Sequence, residues 1–270
     1  MKAFLTIIAF AFTIVAQAEK MDSTLFVAFY HYTIATQDDE GQNVCDSLRL
    51  ALLVGSRATY CTNVLSYNRD GRISQEKINL FMMHQPDILT DLEKGEVVSV
   101  ESIFPYRYET HEPLTKTDWR LEDDTLTIGG LPCHRATCKL YGKNWAVWYS
   151  EDIPSSAGPW KLRGLPGLII KAEDETGIHC FTLYETKNEI REINTIGNPE
   201  NQKLSRKKLM AYKKKTLGNP RYAKEPTYYV PKDADDVGEI NINGTFYSVG
   251  MNSHMLILKK SHVYQPLEIE

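Results

Sequence analysis

Three groups of residues in this 270-residue chain have types that could do chemistry. The first is five cysteines: Cys45, Cys61, Cys133, Cys138 and Cys180. A thiolate is a nucleophile, and Cys138 or Cys180 with His111 or His134 would supply a nucleophile and base if the fold joined them. Thiols can also bridge. Five residues apart on a regular strand, Cys133 and Cys138 face opposite sides with Cα atoms about 17 Å apart. A disulfide needs about 7 Å or less, so they join only across a bulge. Otherwise each must find another partner, Cys180 being the nearest, or stay a buried thiol. The second group is Met82-Met83-His84 and Met251-Asn252-Ser253-His254-Met255. Thioether and imidazole suit reduced copper, but neither run repeats a ligand spacing. Cys133-His134 and His179-Cys180 lack the CxxC spacing of zinc sites. No metal and no cofactor is therefore expected. The third group is Trp160, Lys161 and Arg163, an aromatic ring beside two cations, and downstream a run of seven cations from Lys203 to Lys215. Such a run is a solvated helix face or a surface for anionic headgroups.

The elements that must position these residues are mostly strands. Thr24 to Ala35 is rich in aromatic and β-branched residues and reads as one long strand. Hairpins follow at Leu48–Val54 with Arg57–Tyr67, at Thr125–Ile128 with Leu131–Tyr141 across Gly129-Gly130, and at Leu168–Ala172 with Ile178–Glu185. Another spans Glu239–Ile242 and Thr245–Val249 across Asn243-Gly244, the strongest short hairpin signal. Glu96–Ile103, Asn144–Ser150 and Leu256–Lys260 are further strands. Short turns between strands imply a largely antiparallel sheet. Two helices are expected, Ser74 to about His84 and Ser205–Leu217, the latter capped by Ser205 and stopped at Gly218.

From Trp145 the chain reads WAVWYSEDIPSSAGPWKLRGLPGLIIKAED. Trp145 to Tyr149, including Trp148, is an aromatic strand. Ile153-Pro154 and Gly158-Pro159 break it. Gly164-Leu165-Pro166-Gly167 is a turn, with Pro166 fixing φ near −65° and Gly167 supplying the positive φ of a type II turn. Leu168-Ile169-Ile170 then enters the sheet. The loop residues Pro159, Trp160, Lys161, Arg163, Gly164, Leu165, Pro166 and Gly167, with Trp148 and Tyr149, are the candidate binding site, because loops on a rigid sheet commonly carry recognition. The same glycines and prolines would also be needed merely to make the turn.

Gly164 to Ile169 spells GLPGLI, and the chain here resembles the GLPGLI family of exported bacterial proteins. The resemblance is specific from about Trp119 to Asp174. It includes Trp148-Tyr149, Ile153-Pro154, Gly158-Pro159-Trp160-Lys161 and the segment Cys133 to Cys138. Tyr264-Gln265-Pro266-Leu267-Glu268 is similar to the family's closing Asn-Pro-Leu-Glu, with Gln265 in place of asparagine. The resemblance implies export and a β-rich fold. It brings no activity and no catalytic residues, because the family is one of unknown function.

Residues 1–18 carry the marks of export directly. Lys2 precedes an apolar run from Ala3 to Val15 and an Ala16-Gln17-Ala18 exit, a secretory signal pattern. The run is short of the roughly 20 residues that span a bilayer, and no later run reaches that length. Cleavage after Ala18 would leave residues 19–270 as a single β-rich domain of 252 residues. Losing Lys2 leaves 30 basic against 35 acidic residues, net −5, which argues against nucleic acid as a partner. No G-x-S-x-G elbow, HExxH or phosphate loop is present. The expectation is a mainly β domain, or β-dominated α+β. It should be a large curved antiparallel sheet or open half-barrel, with one or two short helices packed on it. Its inner face must be filled by side chains, helices or an apolar ligand. By fold analogy alone, that is the architecture of periplasmic lipoprotein carriers. The functional expectation is a non-catalytic periplasmic or secreted binding or assembly protein recognising a lipid, peptide or envelope partner. An envelope thiol enzyme or hydrolase stands second, and a copper-handling protein third.

Overall fold

The computed structural model describes residues 19–37, 41–67, 85–103, 106–216, 227–229, 237–242, 245–250 and 265–269. Alternating apolar residues dictate strands, and strands dominate. The elements run β1 (Lys20–Gln37), β2 (Asn43–Gly55), β3 (Ala58–Asn63), α1 (Val64–Tyr67), β4 (Asp87–Asp91), β5 (Glu96–Ile103) and β6 (Tyr106–Pro113). Then come β7 (Arg120–Ile128), β8 (Leu131–Leu140), β9 (Lys143–Ser150), β10 (Leu168–Asp174), β11 (His179–Lys187), β12 (Glu192–Asn194) and β13 (Gln202–Lys203). After α2 (Arg206–Thr216) follow β14 (Thr227–Tyr229), β15 (Val237–Ile242) and β16 (Thr245–Gly250).

A 13-stranded sheet runs in the order β13-β6-β5-β4-β3-β2-β1-β11-β10-β9-β8-β7, with β12 pairing β1 off this path. It does not close into a barrel, and its pairings are antiparallel except β13 with β6. β14, β15 and β16 form a separate antiparallel sheet. The expected strands are present where the structure describes them. β4, β6, β12, β13 and β14 were not foreseen: Tyr106–Pro113 is mostly polar, and the others are five residues long or shorter. Val64–Tyr67, expected as strand, turns as α1. The expected helix at Ser74–His84, the strand Leu256–Lys260 and the turn Asn243-Gly244 lie outside the described residues, as do both methionine–histidine runs.

β1 explains the core. Its period of two sends Ala28, Tyr30, Tyr32 and Ile34 to one face and Val27 and Phe29 to the other, and both faces are buried. The larger cluster holds Leu50 and Leu52 of β2, Trp145, Val147 and Tyr149 of β9, and Leu168, Ile169 and Ala172 of β10. The second lies on the opposite face, around Ala51, Leu53, Val98, Val100 and Ile193. α2 covers Ile103 and Tyr108 with Leu209. The foreseen Ser205 cap is present, its Oγ accepting from the Lys208 N–H at 3.4 Å.

Candidate functional site

Loop 151–167 leaves β9 and returns as β10, and it lies against the large core cluster. Ala157, Trp160, Leu162 and Leu165 all belong to that cluster. The loop is tied by its own backbone: Gly164 N–H donates to Ser156 O at 2.8 Å, and Leu168 N–H to Ile153 O at 3.0 Å. The loop and the start of β10 are tied to neighbouring elements as well. Trp160 N–H reaches Cys61 Sγ of β3 at 3.4 Å, Tyr30 Oη donates to Ile169 O at 2.7 Å, and Trp119 Nε1 donates to Arg163 O at 2.8 Å. Loop residues of this chain therefore pack against the sheet face formed by β1, β3, β9 and β10.

The expected type II turn needs correction. Gly164 holds the positive φ, +101°, while Gly167 lies outside the left-handed region. Gly167 is glycine for another reason: a Cβ there would stand 2.1 Å from Ser150 O and 2.4 Å from Ser150 C. The loop's return crosses the end of β9 too closely for any side chain.

Two of the candidate binding residues, Trp160 and Lys161, are buried by packing rather than displayed. Trp160 is buried, with its ring 5.6 Å from Trp145 and 5.4 Å from Tyr141. Its backbone sits at φ +55°, uncommon for a bulky residue. Pro159, Leu165 and Tyr149 are buried too, whereas Gly164 and Pro166 face solvent. Trp148 points to the other face of β9, half-buried, in register between Arg135 of β8 and Lys171 of β10. Arg163 is half-buried and its Nη1 has no hydrogen-bond partner among the described residues; burial pulls its pKa down.

Lys161 anchors an ion cluster that sequence reasoning did not assemble. Its Nζ lies 2.7 Å from Glu112 Oε1 of β6 and 2.7 Å from Glu268 Oε1 of the C-terminal segment. Arg206, the first residue of α2, places Nε 2.8 Å from Glu268 Oε2 and 3.8 Å from Glu112 Oε2. Both cations lie over the Tyr141 ring, Lys161 Nζ at 4.3 Å and the Arg206 guanidinium at 4.6 Å from its centroid. Burial would raise the Glu268 pKa, but the Lys161 charge and hydrogen bond outweigh it and hold the carboxyl below its ordinary value. Burial opposes the Lys161 charge, and Glu268, Tyr141 and Glu112 together hold its pKa above the ordinary value. Tyr141 and Gly142 form the two-residue turn between β8 and β9, at φ +49° and +80°. Positive φ at both positions is the type I′ pattern that suits a twisted hairpin.

Residues 265–269 complete the cluster. Leu267 enters the core, Ile269 N–H donates to Tyr141 O at 2.9 Å, and Arg206 Nη2 donates to Ile269 O at 3.1 Å. His179 Nε2 lies 3.1 Å from Pro266 O. A carbonyl can only accept, so Nε2 carries the proton and Nδ1 accepts from Tyr32 Oη at 2.8 Å. Burial, then the nearby Lys143, pushes the His179 pKa down to about 4. Lys143 itself pairs with Asp174 at 2.7 Å. The signals for this assembly were the Tyr141-Gly142 turn and the closing Gln265-Pro266-Leu267-Glu268. What joins them is invisible in one dimension.

The thiols do not bridge. All five cysteines are free in this structure. Cys133 and Cys138 enter the same core cluster, although their spacing on a regular strand would part them. Burial pushes Cys61 and Cys138 up to about 12 and raises Cys133. His111 is held between Glu109 Oε1 at 2.7 Å and Glu96 Oε1 at 3.0 Å, and His134 lies exposed beside the Tyr149 ring. Neither bonds a cysteine. Among the described residues, no group of three or more His, Cys, Asp or Glu could hold a metal ion. Of the basic run, Lys203 pairs with Glu109 and Lys213 with Glu101, while Lys207, Lys208, Lys214 and Lys215 face solvent.

The segment that holds loop 151–167 is also the one that matches a family model. Residues 141–171 match a family model described as a protein of unknown function, Porph_ging. The match begins at the Tyr141 turn, contains Lys161 and the whole GLPGLI stretch, and ends in β10. No curated protein matches the chain. Two solved structures of PNGF-II, in space groups P21 and C2, share 14% identity with it, at TM-scores of 0.48 and 0.45. The alignments cover 81% and 82% of this chain and 38% and 40% of those chains, so it spans well under half their length. At that level the likeness bears on neither site nor activity. No described helix is long and apolar enough to cross a membrane.

Proposed function

We propose that this chain is an exported, non-catalytic binding or assembly protein of the bacterial cell envelope that recognises a peptide or protein partner. Export rests on residues 1–18, and membership of the GLPGLI family on Gly164–Ile169 with its flanking aromatic residues. One observation carries the preference for a partner over an enclosed lipid. The loop side chains Ala157, Trp160, Leu162 and Leu165 themselves pack into the larger core cluster and so cover sheet surface that a carried apolar molecule would need. The thiol-enzyme alternative loses ground because burial keeps Cys138 protonated at neutral pH, and neither His111 nor His134 bonds Cys138 or Cys180. The copper alternative rests on Met82–His84 and Met251–Met255, outside the described residues.

Native mass spectrometry of the secreted chain, purified without added ligand, tests the reading. The expected result is the bare polypeptide mass, or that mass with a protein partner. A lipid-sized excess lost on denaturation would replace the proposal with a carrier, and one bound metal ion with the metal-handling alternative.

A further inference from the structure

Residues 265–269 lie across the molecule like a bound peptide. They join no strand of the sheet. The surrounding elements grip their backbone at three points: His179 Nε2 on Pro266 O, Tyr141 O on Ile269 N–H, and Arg206 Nη2 on Ile269 O. Between these points Leu267 fills an apolar position and Glu268 meets two cations. Backbone bonds that ignore sequence, with one apolar and one charged side-chain position, are the anatomy of peptide recognition. The Tyr141-Gly142 turn is shaped to the same occupant, since a Cβ on Gly142 would stand 2.7 Å from Ile269 O and 2.9 Å from Ile269 Cγ1.

The receptor groups are positioned without the segment. Lys161 keeps Glu112 and the Tyr141 ring. His179 keeps Tyr32, and its backbone N–H keeps Asp174 Oδ1 at 3.0 Å. Tyr141 is fixed by the β8–β9 hairpin. Without Glu268, however, the cluster holds two cations, Lys161 and Arg206, against the single carboxylate of Glu112. That imbalance in a buried place demands a carboxylate. Gln265 and Pro266 are half-buried and Ile269 is exposed, so the groove is open along its outer side.

We propose that this groove, walled by Tyr141, Lys161, His179 and Arg206, is a recognition site for an extended segment of a partner protein bearing Leu-Glu, and that residues 265–269 occupy it in cis. The proposal rests on reading the chain as a binding protein and names its site and partner chemistry. The chain's own tail is then a competitor that sets the affinity of the site.

The test uses the full chain and its Glu268→Gln variant, with a fluorescent peptide acetyl-Gln-Pro-Leu-Glu-Ile-amide and a control carrying glutamine for glutamate. The variant's tail no longer satisfies the cations. It should bind the peptide at least tenfold more tightly than the unmodified chain does, and should discriminate against the control by a similar factor. Adding Lys161→Met should abolish the gain. Equal binding by both chains, or none by a folded variant, would overturn the site while leaving the mass-spectrometric test of the binder reading intact. A dimer formed by exchanged tails would move the occupant from a partner to a second copy and overturn the partner assignment. Should the variant not fold, hydrogen exchange on the unmodified chain decides. Release of the Ile269 amide well before global unfolding supports a separable occupant, and exchange only with the whole molecule overturns it.

Discussion

Gly164 and Gly167 stand three residues apart in one motif and are glycine for different reasons. Gly164 needs its positive φ but has room, the nearest atom to a built Cβ being Trp119 Nε1 at 3.6 Å. Gly167 needs the absence of a side chain against backbone that cannot move. Gly164→Ala should therefore cost about 1–2 kcal/mol, the left-handed penalty. Gly167→Ala should cost clearly more, because β9 and the loop must separate. Urea unfolding of the two variants checks the order, and a smaller cost at Gly167 would refute the close-crossing account. His179 gives a prediction in pH. Its pKa is depressed from 6.5 to about 4 in the folded chain, so it contributes stability above pH 6.5 that is lost as pH falls from 6.5 towards 4. The amount is about 3 kcal/mol. His111 runs the other way. Burial opposes its charge, but the Glu109 and Glu96 hydrogen bonds raise its pKa, so its contribution is complete below pH 6.5 and fades as pH rises through the raised value. Stability measured from pH 7 to 4 should fall, and His179→Gln should flatten the slope.

At the scale of elements, the Lys161 cluster clamps four pieces of chain: the 151–167 loop, β6, the start of α2 and residues 265–269. Lys161→Met removes one cation and leaves Glu112 and Glu268 facing Arg206 alone. Breaking a buried pair from one side costs about 3–5 kcal/mol. Replacing both partners, as Lys161→Met with Glu268→Leu, should cost less than the sum of the two single changes, a coupling that a double-mutant cycle reads directly. Additive losses would mean that the pair is not coupled. Trp160→Ala should cost about 3–5 kcal/mol, since it empties the core beside Trp145 and Tyr141. The helix α2 shows why the basic run was legible only in part. Its composition fixes a charged helix, but the sheet decides that Lys213 turns inward to Glu101 at 2.6 Å while Lys214 stays in water.

For the whole molecule, the distribution of thiols makes a direct test. Cys45 lies exposed on β2 and Cys180 is half-buried on β11, while Cys61, Cys133 and Cys138 belong to the large core cluster. A thiol reagent at neutral pH should modify Cys45 first, Cys180 more slowly, and the other three only as the molecule unfolds. Rapid reaction at Cys138 would revive the enzyme reading. The same sheet keeps one candidate catalytic pair, His111 and Cys180, far apart. His111 lies on β6 and Cys180 on β11, with β5, β4, β3, β2 and β1 between them in the sheet.

Sequence alone determined most of the long strands and hairpins, because alternation of side chains and two-residue turns are local and each is written within a few residues. It determined that loop 151–167 is special, because its glycines and prolines constrain the backbone one residue at a time. It also placed the Ser205 cap. It could not say which way the special residues face. Trp160 and Lys161 read equally well as a displayed pair or a buried one, and only the packing of the loop into the core, with Glu112 and Glu268 brought from 49 residues upstream and 107 downstream, decides it. Charge pairing over such distances depends on the order of strands in the sheet. That order is fixed by the summed burial of two apolar faces, a quantity that no local pattern contains.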